Sequence, residues 1–307
     1  MTAVNAFAYA GAVRAATEAA GGQHYPRGAL YMVATPIGNL ADITLRALHL
    51  LQLVDVVACE DTRHTQALLR AYGIEKSSTQ LLAVHQHNEA QAAQKLLTRL
   101  DQGQRGAYVS DAGTPAISDP GARLAAAVQQ AHLPVIPIPG ASSLTAALSV
   151  AGLPDEGTQA SGFVFVGFLP SKAGERAAAI EQLRLETRPV VLLEAPHRIE
   201  ALALALAPLG LRRLMVGREL SKQFEEVATL SAQDFAAWLA LDGNRLRGEF
   251  VLVLHAAPEA AATGPDTRVL KLLLAELPLK TAVKLAAEIT GQARNQLYEL
   301  ALGLKKR

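Results

Sequence analysis

The sequence predicts an α/β protein made of two α/β domains followed by a small C-terminal helical domain. Three observations support this fold class. From Ala29 onward, short apolar runs alternate with amphipathic stretches of helical length, which is typical of a largely parallel sheet covered by helices on both faces. Two stretches rich in Gly, Ala and Pro divide the chain. The residues from 266 onward have helical patterns only.

These divisions predict the domain organisation. The N-terminal 29 residues are rich in Ala and Gly and lack a basic segment followed by a continuous apolar core, which argues against a secretory signal and favours a mobile tail. We expect a flexible extension at 1–29, a first α/β domain at 30–150, a linker at 151–161, a second α/β domain at 162–256, a linker at 256–265 and the helical domain at 266–307.

In the first α/β domain, each predicted strand is a short apolar run and each predicted helix has one apolar face. Asp61 or Thr62 is placed to cap a helix at its N-terminus, and Gly73 is placed to end it. The predicted strands are Leu30–Ala34, Val54–Cys59, Leu81–Val84, Gly106–Ser110 and Val135–Ile138, and the predicted helices are Ile43–Leu53, Arg63–Tyr72, Asn88–Leu100, Ala122–Gln130 and Ser142–Val150.

The second α/β domain and the C-terminal domain follow the same reasoning. Gly291 separates two helical patterns by a tight turn. The predicted strands are Gly162–Val166, Val190–Glu194, Leu214–Arg218, Glu226–Leu230 and Phe250–His255, and the predicted helices are Ala173–Leu185, Arg198–Leu206, Leu279–Ile289 and Arg294–Leu302.

Composition excludes several classes of protein. Half of the 307 residues are hydrophobic and the net charge is +1, so the chain is unlike a histone or a basic nucleic-acid-binding arm. The lone cysteine, Cys59, excludes an intrachain disulfide and a multi-cysteine zinc site, and it fits a reducing cytoplasm. No apolar run reaches the roughly 18 residues of a membrane-spanning helix. Residues 266–307 carry a net charge of +4, whereas the remaining residues carry −3.

Four loops follow the predicted strands of the first domain at their carboxyl ends, where parallel sheets bind ligands. Each contains polar residues together with Gly or Pro. They are Thr35-Pro36-Ile37-Gly38-Asn39-Leu40, Glu60-Asp61-Thr62-Arg63-His64-Thr65, Ser110-Asp111-Ala112-Gly113-Thr114-Pro115 with its continuation Ser118-Asp119-Pro120-Gly121, and Pro137-Ile138-Pro139-Gly140-Ala141-Ser142-Ser143.

The loop that begins at Ser110 is the most informative of the four. Helix capping explains Asp119 and Pro120, but it does not explain Asp111, which follows a buried strand and is placed to accept hydrogen bonds from a ligand. In the fourth loop, Ser142 and Ser143 either bind a ligand or only cap the next helix. The chain contains neither GxGxxG nor GxxxxGK[ST], so neither a dinucleotide-binding fold nor a Walker-type NTPase is supported.

The cluster Glu60, Asp61, Arg63 and His64 contains more ionisable residues than the start of a helix requires. Capping explains Asp61 and Thr62 only. A metal site made from Glu60, Asp61 and His64 is the less favoured interpretation, because one histidine with two carboxylates is common by chance.

The second half contributes four further clusters that place basic residues beside strand ends. Together they form a candidate phosphate-contacting surface, although solvated loop charge is the alternative for each residue. The clusters are Phe168-Leu169-Pro170-Ser171-Lys172, Glu194-Ala195-Pro196-His197-Arg198, Arg218-Glu219-Leu220-Ser221-Lys222 and Arg247-Gly248-Glu249-Phe250.

These motifs, in this order, resemble the tetrapyrrole methylase superfamily of class III methyltransferases, in particular its branch that acts on ribosomal RNA. The resemblance spans about residues 30–303. It rests on TPIGNL at 35–40, EDTRHT at 60–65, SDAGTP at 110–115, DPG at 119–121, PG at 139–140, GFLP at 167–170, EAPHR at 194–198, RELSK at 218–222, GE at 248–249 and ELPLK at 276–280. The first loop departs from the Gly-rich G-x-G-P-G turn of tetrapyrrole-acting members, which weakens the case for a porphyrinoid substrate.

The resemblance implies a cofactor cleft between the two α/β domains, binding S-adenosylmethionine, and a homodimer. It implies 2′-O-methylation of a cytidine ribose in the decoding region of 16S rRNA, within the small ribosomal subunit. Carried over by motif, the cofactor residues are Pro36, Ile37, Asp111, Thr114, Ser142, Ser143 and Phe168, with no metal. We expect the catalytic residues among Glu60, Asp61, His64, Lys172 and Glu249, and RNA contacts from Arg63, Arg198, Arg218 and Lys222.

Two other functions remain open at this point. One is a small-molecule methyltransferase acting on a corrinoid or porphyrin, which requires an aromatic-lined cleft, whereas aromatic residues make up 5% of this chain. The other is a non-catalytic RNA-binding or ribosome-assembly protein, which would not bind S-adenosylmethionine. The C-terminal helices either dock RNA or a ribosomal protein, or only pack against a dimer.

Overall fold

A computed structural model describes residues 9, 11–85, 88–153, 162–257 and 267–305. Residues 154–161 and 258–265, which make up most of the two predicted linkers, lie outside the described residues. The strands are β1 (Leu30–Val33), β2 (Val56–Cys59), β3 (Leu81–Ala83), β4 (Gly106–Val109), β5 (Val135–Ile138), β6 (Val164–Phe168), β7 (Val190–Glu194), β8 (Arg213–Arg218), β9 (Glu226–Ser231) and β10 (Phe250–Leu254). The helices are α1 (Gly11–Ala20), α2 (Leu45–Leu53), α3 (Thr62–Ala71), α4 (Glu89–Asp101), α5 (Gly121–Gln130), α6 (Ser143–Val150), α7 (Ala173–Arg184), α8 (Ile199–Leu206), α9 (Phe235–Ala240), α10 (Thr267–Glu276), α11 (Leu279–Thr290) and α12 (Arg294–Lys305).

The first sheet has five parallel strands in the order β3-β2-β4-β1-β5. Strands β2 and β4 are buried at every position, as expected when helices cover both faces of a sheet. One face packs in a cluster with Tyr31 and Leu50, and the other packs with Leu96 and Tyr108. The predicted parallel α/β architecture is therefore confirmed for this half.

The second sheet is mixed, with the order β6-β7-β10-β8-β9. Only β6 and β7 are parallel; β10 is antiparallel to both β7 and β8, and β8 is antiparallel to β9. The short connection between β8 and β9 has no room for a crossover helix, which explains the antiparallel pairing. A register shift between Phe165 and Gly167 interrupts the pairing of β6 with β7.

Helix α6 joins the two halves. It belongs to the first domain by sequence, yet its Ala147 packs in a cluster with Val191, Met215 and Val253 on one face of the second sheet. The opposite face of that sheet packs on α8 and α9, around Leu202 and Phe235. The second sheet therefore contacts the first domain through α6.

The structure differs from the expected elements at three helices. Helix α1 lies within the extension that we expected to be flexible; its Ala16 and Ala20 are buried, and it packs against α2, so this part is folded. Helices α9 and α10 were not predicted. With six residues, α9 is too short to show a reliable helical period.

The C-terminal domain is a three-helix unit. Leu270 of α10, Val283 of α11 and Leu297 of α12 meet in one apolar cluster. Gly291 ends α11 in the left-handed conformation, with φ of 69°, so the chain turns sharply into α12 as its position in the sequence predicted. Within the described ranges, no helix has both the length and the apolar character that crossing a bilayer requires.

Candidate active site between the two domains

The four loops predicted to carry chemistry meet at one edge of the first sheet, because the parallel strands β1, β2, β4 and β5 all end there. Hydrogen bonds join them. The amide of Thr35 donates to the carbonyl of Gly113 at 3.0 Å, and the reverse bond measures 3.1 Å. The Thr114 hydroxyl donates to the carbonyl of Ala141 at 3.0 Å. The first, third and fourth loops therefore form one hydrogen-bonded unit.

The second loop joins this unit through Glu60 and Asp111. The Asp111 amide donates to Glu60 Oε1 at 3.1 Å, and the Asp61 amide donates to Asp111 Oδ1 at 3.3 Å. The side chain of Asp111 is thus directed at the backbone of the neighbouring loop. This bond links Asp111 to the second loop, and its direct contact with the cofactor stays a prediction.

Asp61 caps helix α3. Its Oδ1 accepts hydrogen bonds from the amides of Arg63 at 2.8 Å and His64 at 3.3 Å, and these bonds hold the pKa of the Asp61 carboxyl below its usual value. A carboxylate committed in this way is a poor proton acceptor. Arg63 projects into solvent, with a side chain that is 91% exposed, and His64 lies half-buried in the first turn.

A small cavity of about 140 Å³ lies at this edge, where the first domain faces the second sheet. Burial raises the pKa of Glu60 above its usual value, and the charges of Asp111 and Asp119 add to the rise. The cavity is lined by Glu60, Ser110, Ala112, Gly113, Thr114, Ile117, Ser118, Asp119, Ser142, Ser143, Leu144, Phe165 and Leu193.

A larger cleft of about 560 Å³ lies along α6, and Ser142 lines both spaces. It too lies between the domains, because residues of the first loop and of α6 face the loop after β8. The cleft is lined by Ile37, Asp42, Gly140, Ala141, Ser142, Thr145, Ala146, Ser149, Val150, Leu220, Ser221, Glu225 and Val227.

The predicted cofactor residues divide into two groups. Ile37, Thr114, Ser142 and Ser143 line the two spaces. The others do not: Pro36 is buried, Asp111 binds the Asp61 amide, and Phe168 stands half exposed at the end of β6.

Sequence reasoning missed Phe165 and Leu193, which the second sheet contributes to the smaller cavity. Both lie on the sheet face that packs against α6. In the sequence, the alternation of side chains along β6 and β7 indicates only which of them share one face of the sheet. The partner of that face becomes known only from the packing of the two domains.

The four basic clusters of the second half also gather at one edge. Phe250 pairs with Glu194 on one side and with Arg218 on the other, and Phe168 lies beside Leu193. The loops after β6, β7 and β8 and the loop before β10 are consequently neighbours. The charged and histidine members that are exposed are Lys172, His197, Arg247 and Glu249. The side chains of Lys172 and Glu249 are 82% and 72% exposed, and Lys172 pairs with Glu175 at 3.0 Å.

Arg198 and Arg218, expected to contact RNA, are turned into the protein. Arg198 pairs with the fully buried Glu194 at 3.0 Å and donates to the carbonyl of Leu169. Arg218 is buried, pairs with Glu226 at 3.3 Å and donates to three backbone carbonyls. Their donors tie loops together, and their side chains are only 21% and 10% exposed.

The residues around the two spaces fit S-adenosylmethionine. No side chain caps the N-terminus of α6, so its first amides and the hydroxyls of Ser142 and Ser143 are suited to a carboxylate and ribose hydroxyls. Glu60 and Asp119 suit the positive groups of the cofactor, and Phe165 and Leu193 provide an apolar wall. In the part of the chain that the structure describes, no group of three His, Cys, Asp or Glu side chains is arranged to hold a metal ion.

Comparison with known proteins agrees with this geometry. Residues 29–236 match the model of the Tetrapyrrole (Corrin/Porphyrin) Methylases, and residues 260–305 match the RsmI C-terminal HTH domain. A relative named "Ribosomal RNA small subunit methyltransferase I" from Neisseria meningitidis serogroup B is 47% identical, with 91% of this chain and 95% of the relative covered. A relative of the same name from Escherichia coli O157:H7 is 46% identical, with 90% and 95% covered.

The fold is shared with solved structures of more distant enzymes. Uroporphyrin-III C-methyl transferase from Thermus thermophilus, complexed with S-adenyl homocysteine, superposes with a TM-score of 0.50 at 20% identity, covering 74% of this chain and 96% of that one. The structure and the comparisons define an S-adenosylmethionine-dependent methyltransferase, as the sequence predicted. The chain belongs to the tetrapyrrole methylase family.

Proposed function

We propose that this protein transfers a methyl group from S-adenosylmethionine to the 2′-hydroxyl of a cytidine in the decoding region of 16S rRNA. The observation that carries the proposal is the identity of 46–47% with relatives named for methylation of small-subunit ribosomal RNA, over nearly their whole length. The interdomain cleft supplies a site for the methyl donor. The loop after β8, one of the loops gathered at one edge of the second sheet, lines this cleft.

When bound, S-adenosylmethionine supplies an electrophilic methyl group. The residues of this chain have three tasks: they bind and orient the two reactants, exclude water and accept the proton of the target hydroxyl. Alignment alone contributes much of the rate in a displacement reaction. The hydrogen-bonded unit formed by the first, third and fourth loops provides a rigid support for that alignment.

The proton acceptor remains among Glu60, Asp61, His64 and Glu249. Two observations favour Glu60 and Glu249. Burial raises the pKa of Glu60 toward the working range of a general base. Glu249 is exposed in the loop before β10. Asp61 is committed to capping α3. Alanine substitution at each position, with methylation of small-subunit RNA as readout, tests the assignment. Full activity of the Glu60, Asp61 and His64 variants removes that cluster from the mechanism.

The C-terminal domain is proposed to contact RNA. Its net charge of +4 and its match to a helix-turn-helix model support this role. Lys280 and Lys284 are exposed, four residues apart on one face of α11. Reversing both charges (Lys280→Glu with Lys284→Glu) is expected to weaken RNA binding and flatten its salt dependence, whereas Lys95→Glu on the exposed face of α4 serves as the control. Truncation after Pro265 tests the same role, and an unchanged RNA affinity of the folded remainder would dismiss it.

The assembly and the location are proposed on the same basis. We expect a homodimer. The exposed apolar side chains of Val166 and Phe168 in the edge strand β6, and of Phe163 just before it, support a contact with a second copy of the chain. Light scattering of the purified protein measures the assembly. Action on ribosomal RNA implies a cytoplasmic protein that meets its substrate in the small ribosomal subunit.

The decisive experiment compares 16S rRNA from cells with and without the gene. Loss of a single 2′-O-methylated cytidine, restored by the purified protein acting on small subunits, is the expected result. Calorimetry with S-adenosylmethionine separates a methyltransferase from an RNA-binding assembly protein, because the latter would not bind the cofactor. Methylation of a corrinoid or porphyrin in place of RNA would contradict the proposed substrate.

A further inference from the structure

Backbone strain is concentrated in the loop after β8. Four non-glycine residues in the described ranges have a positive φ, and two of them, Glu219 at 50° and Ser221 at 70°, lie in this loop. Such conformations are unfavourable for residues with a side chain and persist where the surroundings hold them. Their clustering beside the interdomain cleft points to a function for the geometry of the loop.

Three hydrogen bonds hold Glu219 within this loop. Its Oε1 accepts hydrogen bonds from Lys222 Nζ and from the Glu249 amide, both at 2.8 Å. Its own amide donates to the carbonyl of Glu249 at 2.9 Å. Gly248 has a φ of 87° and no room for a Cβ, because the side chain of Glu219 occupies that space.

Lys222 is fixed in the same way. Its aliphatic stem lies so close to Gly38 of the first domain that a Cβ there would overlap it. Its ammonium lies between Glu219 and Glu249, at 2.8 and 3.0 Å, and the side chain is only 26% exposed. A lysine held by two carboxylates is poorly placed to follow a phosphate backbone, in contrast to Lys172, which is 82% exposed.

The loop also lines the interdomain cleft. Leu220 and Ser221 line the larger space together with Ile37 and Asp42 of the first domain, and the Ser221 hydroxyl is hydrogen-bonded to the Asp42 carboxylate. Lys222 is the next residue. Its stem lies against Gly38, which follows the cleft-lining Ile37 in the first loop, and its ammonium lies beside the exposed carboxylate of Glu249.

We propose that Glu219 is a positioning residue, which holds Lys222 as the cation that stabilises the target oxygen while Glu249 takes its proton. The inference rests on the proposed function and deepens it. The hydroxyl oxygen forms its bond to the donated methyl carbon as the carbon–sulfur bond breaks, and the electron pair of that bond stays on sulfur. The hydroxyl proton passes to the Glu249 carboxylate and then to solvent. Lys222 keeps its charge throughout and favours the developing negative charge on oxygen.

The test separates this role from a phosphate contact. We expect Lys222→Met to lower kcat about 100-fold or more, the loss typical of removing one such stabilising group, with KM for small subunits unchanged. The RNA affinity without cofactor, and the slope of its logarithm against that of the salt concentration, are expected to stay as in the wild type. Lys95→Met is the control, because Lys95 lies exposed on α4 and lines neither cavity.

Glu219→Gln provides the second variant. It keeps the size of the side chain and an acceptor for the Glu249 amide, but removes the charge that holds Lys222. We expect kcat to fall about tenfold with KM unchanged, and unfolding temperature and S-adenosylmethionine affinity to match the wild type. Because the side chain keeps its size and its acceptor, we expect this variant to retain the fold even if Lys222→Met does not.

Three results overturn the inference. Lys222→Met overturns it if kcat is unchanged while KM rises and the salt slope falls by about one, since that is the signature of a phosphate contact. Full activity of Glu219→Gln overturns the positioning role. A wild-type protein that fails to methylate small-subunit RNA overturns the proposed function, and this inference with it.

Discussion

Glu60 and Asp111 lie at the ends of neighbouring parallel strands and are joined by a hydrogen bond of 3.1 Å from the Asp111 amide to Glu60 Oε1. The Asp61 amide returns a bond to Asp111 Oδ1. Each carboxylate thus accepts from the backbone of the opposite loop. This exchange holds the second and third loops together where the smaller cavity opens, and it determines how both residues respond to substitution.

Glu60→Gln is predicted to stabilise the fold at neutral pH. Burial raises the pKa of Glu60, so folding favours its protonated form, and stability is lost as the pH rises through that pKa. Glutamine retains an acceptor for the Asp111 amide without the charge. We expect the variant to unfold at a higher temperature than the wild type at pH 7. The difference is expected to shrink as the pH falls below the usual range of glutamate, and a difference that grows toward acid would contradict the assignment.

Asp111→Ala is predicted to weaken S-adenosylmethionine binding about fivefold, the effect of losing one hydrogen bond of about 1 kcal/mol that orders the loops. Asp111→Asn retains the acceptor for the Asp61 amide and is the matched control. Calorimetry with both variants separates the two possible roles. If the carboxylate instead contacts the cofactor directly, the asparagine variant will lose as much affinity as the alanine variant.

Gly248→Ala is predicted to destabilise the protein more than Gly210→Ala. Both glycines have positive φ, 87° and 61°, so an alanine is strained at both positions. Only at Gly248 does the new Cβ overlap a side chain, that of Glu219, whereas Gly210 has open space. We expect Gly248→Ala to cost about 1–3 kcal/mol beyond Gly210→Ala, measured by denaturant unfolding. Equal losses would mean that Glu219 moves aside freely.

Arg198→Met is predicted to affect stability and not RNA binding. Removing this guanidinium leaves the buried carboxylate of Glu194 unpaired, which costs about 3 kcal/mol or more. Adding Glu194→Gln is expected to recover part of the loss. Arg63→Met is the comparison, because Arg63 is exposed and its substitution should leave the unfolding free energy unchanged. A normal unfolding curve with reduced RNA affinity for Arg198→Met would return Arg198 to the RNA surface.

The strands and loops of the first domain were predictable because their signals are local. An apolar run followed by a polar, Gly-containing segment indicates a buried parallel strand and its ligand-facing end, and all four loops lie where this pattern places them. Asp61 was one of two candidate caps for α3, and the structure shows that it is the cap. In such cases the residues that decide the conformation are neighbours in sequence.

The orientation of charged side chains was harder to predict because it depends on distant contacts. Arg198 is drawn inward by Glu194 and by the carbonyl of Leu169, which precedes it by 29 positions. Arg218 is drawn inward by Glu226 and by carbonyls of another loop. A basic residue beside a strand end has the same local sequence whether it serves RNA or the fold, so position alone did not separate the two roles.

Helix α6 has two roles in the enzyme, and this affects which substitutions in it are tolerated. Its N-terminal serines face both cavities, while Ala147 lies in the apolar contact with the second sheet. A change of volume at Ala147 is therefore expected to shift the serines as well as the contact between the domains. Ala147 itself lines neither cavity. Substitutions there are expected to impair turnover in proteins that remain folded, so a survey confined to cavity-lining positions would overlook them.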